Sequence, residues 1–120
     1  MKYLLLINKD EARFRALGED ERRAMMKRYT DYGREMIAAG IVRGGALLES
    51  TETATTVRVR AGKRLLTDGP FAETQEQIAG IAIIEVADLD QALGWAERHP
   101  DAEWGSVEVR PLVPWDTPAG

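Results

Sequence analysis

No cysteine occurs among the 120 residues, which excludes a disulfide framework, a thiolate metal centre and a thiol nucleophile. Histidine is nearly as scarce. The single imidazole, His99, would leave a zinc site to one ring and carboxylates, a poor donor set for that ion, so no metal site is expected. An excess of cations is missing too: 16 Lys and Arg stand against 20 Asp and Glu, giving a net charge of −4. Such a surface is not built to neutralise phosphates, and no direct nucleic-acid partner is expected. Apolar runs stay far below the roughly 20 residues that cross a bilayer as a helix. The longest at the start, Met1 to Ile7, turns polar at Asn8-Lys9-Asp10 and is followed by no small-residue cleavage site, so the expectation is a cytoplasmic protein without a membrane partner. Phosphate-loop, dinucleotide-binding and nucleophile-elbow patterns are absent, and Gly44-Gly45 lacks the spacing that seats a phosphate at a helix start. No cofactor is expected.

What is present reads as one folded core. A hydrophobic share of 44% beside 30% charged residues is that of a globular chain, and two domains of half this length could each scarcely bury enough surface to fold. The expected organisation is a domain over residues 1–112 and an extended, Pro-rich tail over 113–120 carrying Trp115. Tyr3 to Ile7 is apolar at every position, which predicts a central strand covered on both faces. From Glu19 to Ala39, Met25, Met26, Tyr29, Tyr32, Met36 and Ile37 recur at helical spacing among charged residues, and Gly40 ends the helix. Ile41 to Leu48 reads as a strand with a bulge or close backbone approach at Gly44-Gly45.

Thr55 to Arg60 alternates with period two, Ala61-Gly62 turns the chain and Lys63 to Thr67 returns, which predicts a β-hairpin. Gly80 to Val86 is a second central strand. Asp88 followed three residues later by Gln91 is a capping-box variant opening a helix that must end before Pro100. Ser106 to Arg110 alternates as a last strand. Strand, helix, strand, hairpin, strand, helix, strand is the order of an α+β, ferredoxin-like fold with an inserted β-hairpin. Its two helices cover one sheet face. The other, expected to include some of Leu4, Leu6, Ala82 and Ile84, calls for a second protomer, so a homodimer packed sheet to sheet is expected.

The most specific string is Asp68-Gly69-Pro70-Phe71-Ala72-Glu73-Thr74-Gln75-Glu76-Gln77. Gly69 opens backbone angles closed to other residues and Pro70 fixes the next, so a stiff turn at a strand exit would present Asp68 and Glu73. These two carboxylates are the candidates for acid–base catalysis, although Asp and Thr in such turns also serve only to hold the backbone. Together with MKYLLLI, TATTVRVRAGK, EVADLDQAL and SVEVRP, this string resembles the DGPF branch of the YCII-related family over most of the chain.

The resemblance implies a dimeric α/β-barrel with a pocket between sheet and helices, and a molecular function largely unassigned. It further implies a small-molecule ligand or a sigma-factor-related protein client. One related member uses a His–Asp pair, whereas the helix from Glu19 to Ala39 holds no His, and Gln75 stands where the group commonly has Lys. The candidate ligand-binding residues are Tyr29 and Tyr32 on that helix, Arg58 on the hairpin, and Gly69, Pro70, Phe71 and Thr74 in the turn. The leading expectation is a dimeric binding or accessory module. The alternative is a small lyase or hydrolase with a carboxylate base.

Overall fold

A computed structural model describes residues 1–72 and 74–114. Six strands and three helices follow in the order β1 (Lys2–Lys9), α1 (Glu11–Arg15), α2 (Glu19–Ala38), β2 (Val42–Leu47), β3 (Thr55–Arg60), β4 (Lys63–Asp68), β5 (Gln77–Glu85), α3 (Leu89–Arg98) and β6 (Ser106–Pro111). An antiparallel sheet of order β2-β5-β1-β6 puts the two most apolar strands in its middle, and β3 and β4 form a separate two-stranded sheet. This is the ferredoxin-like arrangement with the hairpin inserted between the second and third strands of the main sheet.

Strand pleating sends successive side chains to opposite faces. On β1, Tyr3, Leu5 and Ile7 are buried, and Tyr3 and Leu5 meet Ile84, Tyr32, Met36, Val86, Ala92 and Ala96 in the core between sheet and helices. The buried residues of α2, namely Met25, Tyr32 and Met36, lie seven and four positions apart and so share one stripe. Acidic Glu19, Asp20 and Glu21 occupy its first turn, where the helix dipole favours negative charge. Asp88 caps α3 by accepting from the Gln91 backbone N–H at 3.0 Å, while the Gln91 side chain accepts from the Ala87 N–H at 3.2 Å.

The bulge in β2 falls between Val42 and Gly44. Beside it the backbones come so close that a Cβ on Gly45 would lie 2.9 Å from the Ile81 carbonyl oxygen, which is why a side chain is missing there.

The register corrects one expectation. Tyr3 lies opposite Ile84 and Leu5 opposite Ala82, so both Ala82 and Ile84 face the helices. It is Ile81 and Ile83, paired with Leu6 and Leu4, that complete the opposite face, where no helix packs among the described residues. A continuous apolar run cannot reveal its own register; the pairing decides which half points inward. A second correction concerns α1, a short helix capped by Asp10, whose side chain accepts from the Arg13 N–H at 3.1 Å, in a segment with no expected element.

Candidate functional site

A broad concavity of about 550 Å3 lies between the Ser50–Ala54 turn and the connection from β4 to β5. Leu48, Phe71 and Ile78 supply its apolar surface; Ser50, Thr51, Thr74 and Gln77 supply hydroxyl and amide groups; Glu49 and Glu76 supply its charge. A volume of this size matches the range of small-molecule clefts, roughly 300–1,000 Å3.

Each wall is tied down by polar contacts. Glu11, at the start of α1, is buried, and its carboxylate accepts from the Thr51 N–H at 3.1 Å, the Thr51 hydroxyl at 3.0 Å and the Ser50 hydroxyl at 3.2 Å. Burial alone would raise its pKa, but these donors and the Arg15 charge outweigh it and hold the carboxyl below its ordinary value. The Glu11 backbone N–H in turn donates to the Gln77 side chain at 3.0 Å. One residue therefore holds both sides of the groove.

Across the hairpin base, the Gly69 N–H donates to the Ala54 carbonyl at 2.7 Å and the Thr56 hydroxyl donates to the Gly69 carbonyl at 2.9 Å. Gly69 itself has a φ of +102°, open to glycine and costly for any residue with a side chain. The Thr74 hydroxyl donates to the Glu76 carbonyl, and the Ser106 hydroxyl donates to the Glu76 carboxylate at 2.8 Å.

The expected residues separate into groups. Pro70, Phe71 and Thr74 line the groove, and Gly69 joins Pro70 and Thr74 in a shallower hollow beside it. Asp68 closes β4, exposed and opposite Thr55. Glu73 lies outside the described residues, as does Trp115. Arg58 is on the hairpin, away from the groove lining.

Neither tyrosine reaches the groove. Tyr32 is a core residue whose hydroxyl donates to the Trp95 carbonyl at 2.7 Å; burial, reinforced by the Glu35 charge and opposed by Arg98, pushes its pKa up to about 12. Tyr29 faces a different cavity, with Lys9, Phe14 and Trp104, whose roughly 30 Å3 suits water rather than an organic ligand. Its hydroxyl donates to the buried Asp101 carboxylate, and burial together with that bond and that charge raises the tyrosine pKa.

His99, the single imidazole, belongs to the same buried cluster. The ring is buried, 4.9 Å from Tyr32 between ring centres, and its Nδ1 accepts from the Asp101 N–H at 3.0 Å. An accepting Nδ1 carries no proton, so the neutral ring holds its hydrogen on Nε2. Burial lowers the pKa, the Asp101 charge works against that shift, and the Lys9 charge adds to it.

Glu11 was not a candidate from sequence. The polar cluster Ser50-Thr51-Glu52-Thr53 was the available signal that donors were waiting, but nothing in the chain order says which carboxylate they meet 39 and 40 residues away.

The model of the YCII-related domain matches residues 1–116, and the chain belongs to that family. It is also similar to an uncharacterized protein of Rhizobium meliloti (strain 1021), 39% identical over 115 residues that span 94% of this chain and 93% of the relative.

Proposed function

We propose that this YCII-related chain is a small-molecule-binding module that works as a homodimer, with the ligand held in the groove between the Ser50–Ala54 turn and the Asp68–Gln77 connection. The observation that carries the reading is the convergence of Pro70, Phe71 and Thr74 with a row of hydroxyls on a cleft of about 550 Å3 whose walls Glu11 ties together. Rigid walls reduce the ordering cost of binding. Binding is favoured over turnover because Asp68, the one of the two candidate bases that the structure describes, is exposed and stands outside the groove lining.

The homodimer reading rests on the sheet face carrying Leu4, Leu6, Ile81 and Ile83. Glu108 and Arg110, opposite Leu6 and Leu4, put both signs of charge beside that apolar strip, so the same patch on two copies can be self-complementary.

The groove is tested by 1H–15N NMR titration with phenethylamine, benzyl alcohol and phenylacetate. At least one of these probes should shift resonances confined to residues 48–54 and 69–78, and Phe71→Ala should weaken that binding by tenfold or more. Shifts spread over the whole surface, or none with any probe, would remove the groove as a site.

A further inference from the structure

The β3–β4 hairpin is an arm without support of its own. Its strands pack on each other and make no extended contact with the main sheet or the helices. An isolated two-stranded hairpin is marginal in water at best and needs a further strand or packing surface to persist. The cross-strand register shows what that surface would meet. Val57 lies opposite Leu66, Val59 opposite Arg64 and Thr55 opposite Asp68, so one face carries three apolar side chains, a guanidinium near the tip and Thr55 with the Asp68 carboxylate at the base, while Arg58, Leu65, Arg60 and Lys63 lie on the other. The apolar face is the bare one, with Val57 57%, Val59 62% and Leu66 55% exposed.

The groove shows the reciprocal defect. Phe71 is 83% exposed and Leu48 and Ile78 are about half exposed, so a ligand there would remain wet on one side, unlike ligands in closed clefts, which bury most of their surface. Among the described residues its charged lining is Glu49 and Glu76, with no Lys or Arg. The arm from Thr55 to Asp68 has four cations and one carboxylate, Asp68 at its base, on a chain of net charge −4.

We propose that the arm of each protomer docks on the groove of a second copy of this chain. Its Val57, Val59 and Leu66 face covers Leu48, Phe71 and Ile78, and Arg64, on the same face near the tip, meets Glu49 and Glu76. Each arm thereby closes the open side of its partner's groove. Six residues per strand reach about 20 Å, enough to leave the parent domain and cross onto a neighbour. Reciprocal exchange satisfies both exposed surfaces with one two-fold operation, and the sign of charge on arm and groove favours that pairing over arm on arm. The inference rests on the homodimer reading and adds a second contact to its sheet-to-sheet interface.

Sedimentation equilibrium of the full chain tests it with complementary charge reversals. Arg64→Glu, and separately Glu49→Arg with Glu76→Arg, should each weaken self-association by tenfold or more, and an equimolar mixture of the two variants should recover it. Val57→Asp with Leu66→Asp should weaken association similarly while the far-UV circular dichroism stays native, because both side chains are already exposed in the protomer. That third variant decides the matter if a charge-reversed chain fails to fold. Native association in Val57→Asp with Leu66→Asp, or a mixture that associates no better than its components, would overturn the arm exchange and leave the sheet-to-sheet homodimer standing. A native chain that is monomeric throughout would overturn both, while the NMR titration still reports on the groove separately.

Discussion

Asp101, His99 and Tyr29 show how a single buried charge organises its neighbours. The Asp101 carboxylate is only 4% exposed and accepts from the Tyr29 hydroxyl, and its backbone N–H is taken up by His99 Nδ1. Adding a proton at Nδ1 would turn that acceptor into a donor aimed at another donor, so the fold prefers the neutral ring. The sign follows directly. With the folded pKa depressed below the ordinary 6.5, the unfolded chain binds the proton more readily, and the His99 contribution is complete above about pH 6.5 and lost as pH falls from there toward the folded pKa. Glu11 acts in a lower window. Its depressed carboxyl stabilises the fold above its ordinary 4.5 and loses that contribution as pH falls through the folded value. Urea midpoints should therefore drop between pH 7 and pH 5.5, before Glu11 titrates, and His99→Phe should flatten that part of the profile. An unchanged slope in the variant would show that another group is responsible.

At the scale of elements, the chain's caps and turns act locally and its pairing does not. Asp88 and Gln91 close the first turn of α3 on backbone donors that would otherwise face water or go unpaired. Replacing Asp88 by Ala removes one of those acceptors and should cost about 1 kcal/mol, read as a lower denaturation midpoint with an unchanged urea slope. A loss below about 0.3 kcal/mol would mean that the Gln91 side chain holds the turn unaided. Helix α2, the hairpin and the β2 bulge likewise follow from periodicity, turn residues and paired glycines that lie close together in sequence. Helix α1 is the element that local pattern did not announce. Five residues give too short a window for a helical period, and what places it is Glu11, anchored to a turn that arrives 40 residues later.

For the whole molecule, the question is what covers the sheet face opposite the helices. Leu4, Leu6, Ile81 and Ile83 are half-buried within one protomer, and the proposed homodimer would take them fully from water, at about 25 cal/mol per Å2 of apolar surface. Leu6→Glu would place a carboxylate in the middle of that interface, where it could neither hydrate nor pair. The native chain should sediment as a dimer at low micromolar concentration and Leu6→Glu as a monomer with native circular dichroism. A variant that stays dimeric would move the interface off this face.

Taken by itself, the sequence determined the order of the strands and of the two long helices, the two central strands, the α3 cap, the hairpin and the special backbone at Gly69. Each of these depends on residues near one another in the chain or on runs too apolar for an edge. Only the tertiary structure decided that Ile81 and Ile83 rather than Ala82 and Ile84 face outward, since a one-residue change of register reverses every side chain. It also separated Tyr29 and Tyr32 from Pro70, Phe71 and Thr74, and brought Glu11 to Ser50 and Thr51. Those outcomes depend on how sheet and helices close over one another, and composition and spacing carry no record of which distant donor a buried carboxylate will meet.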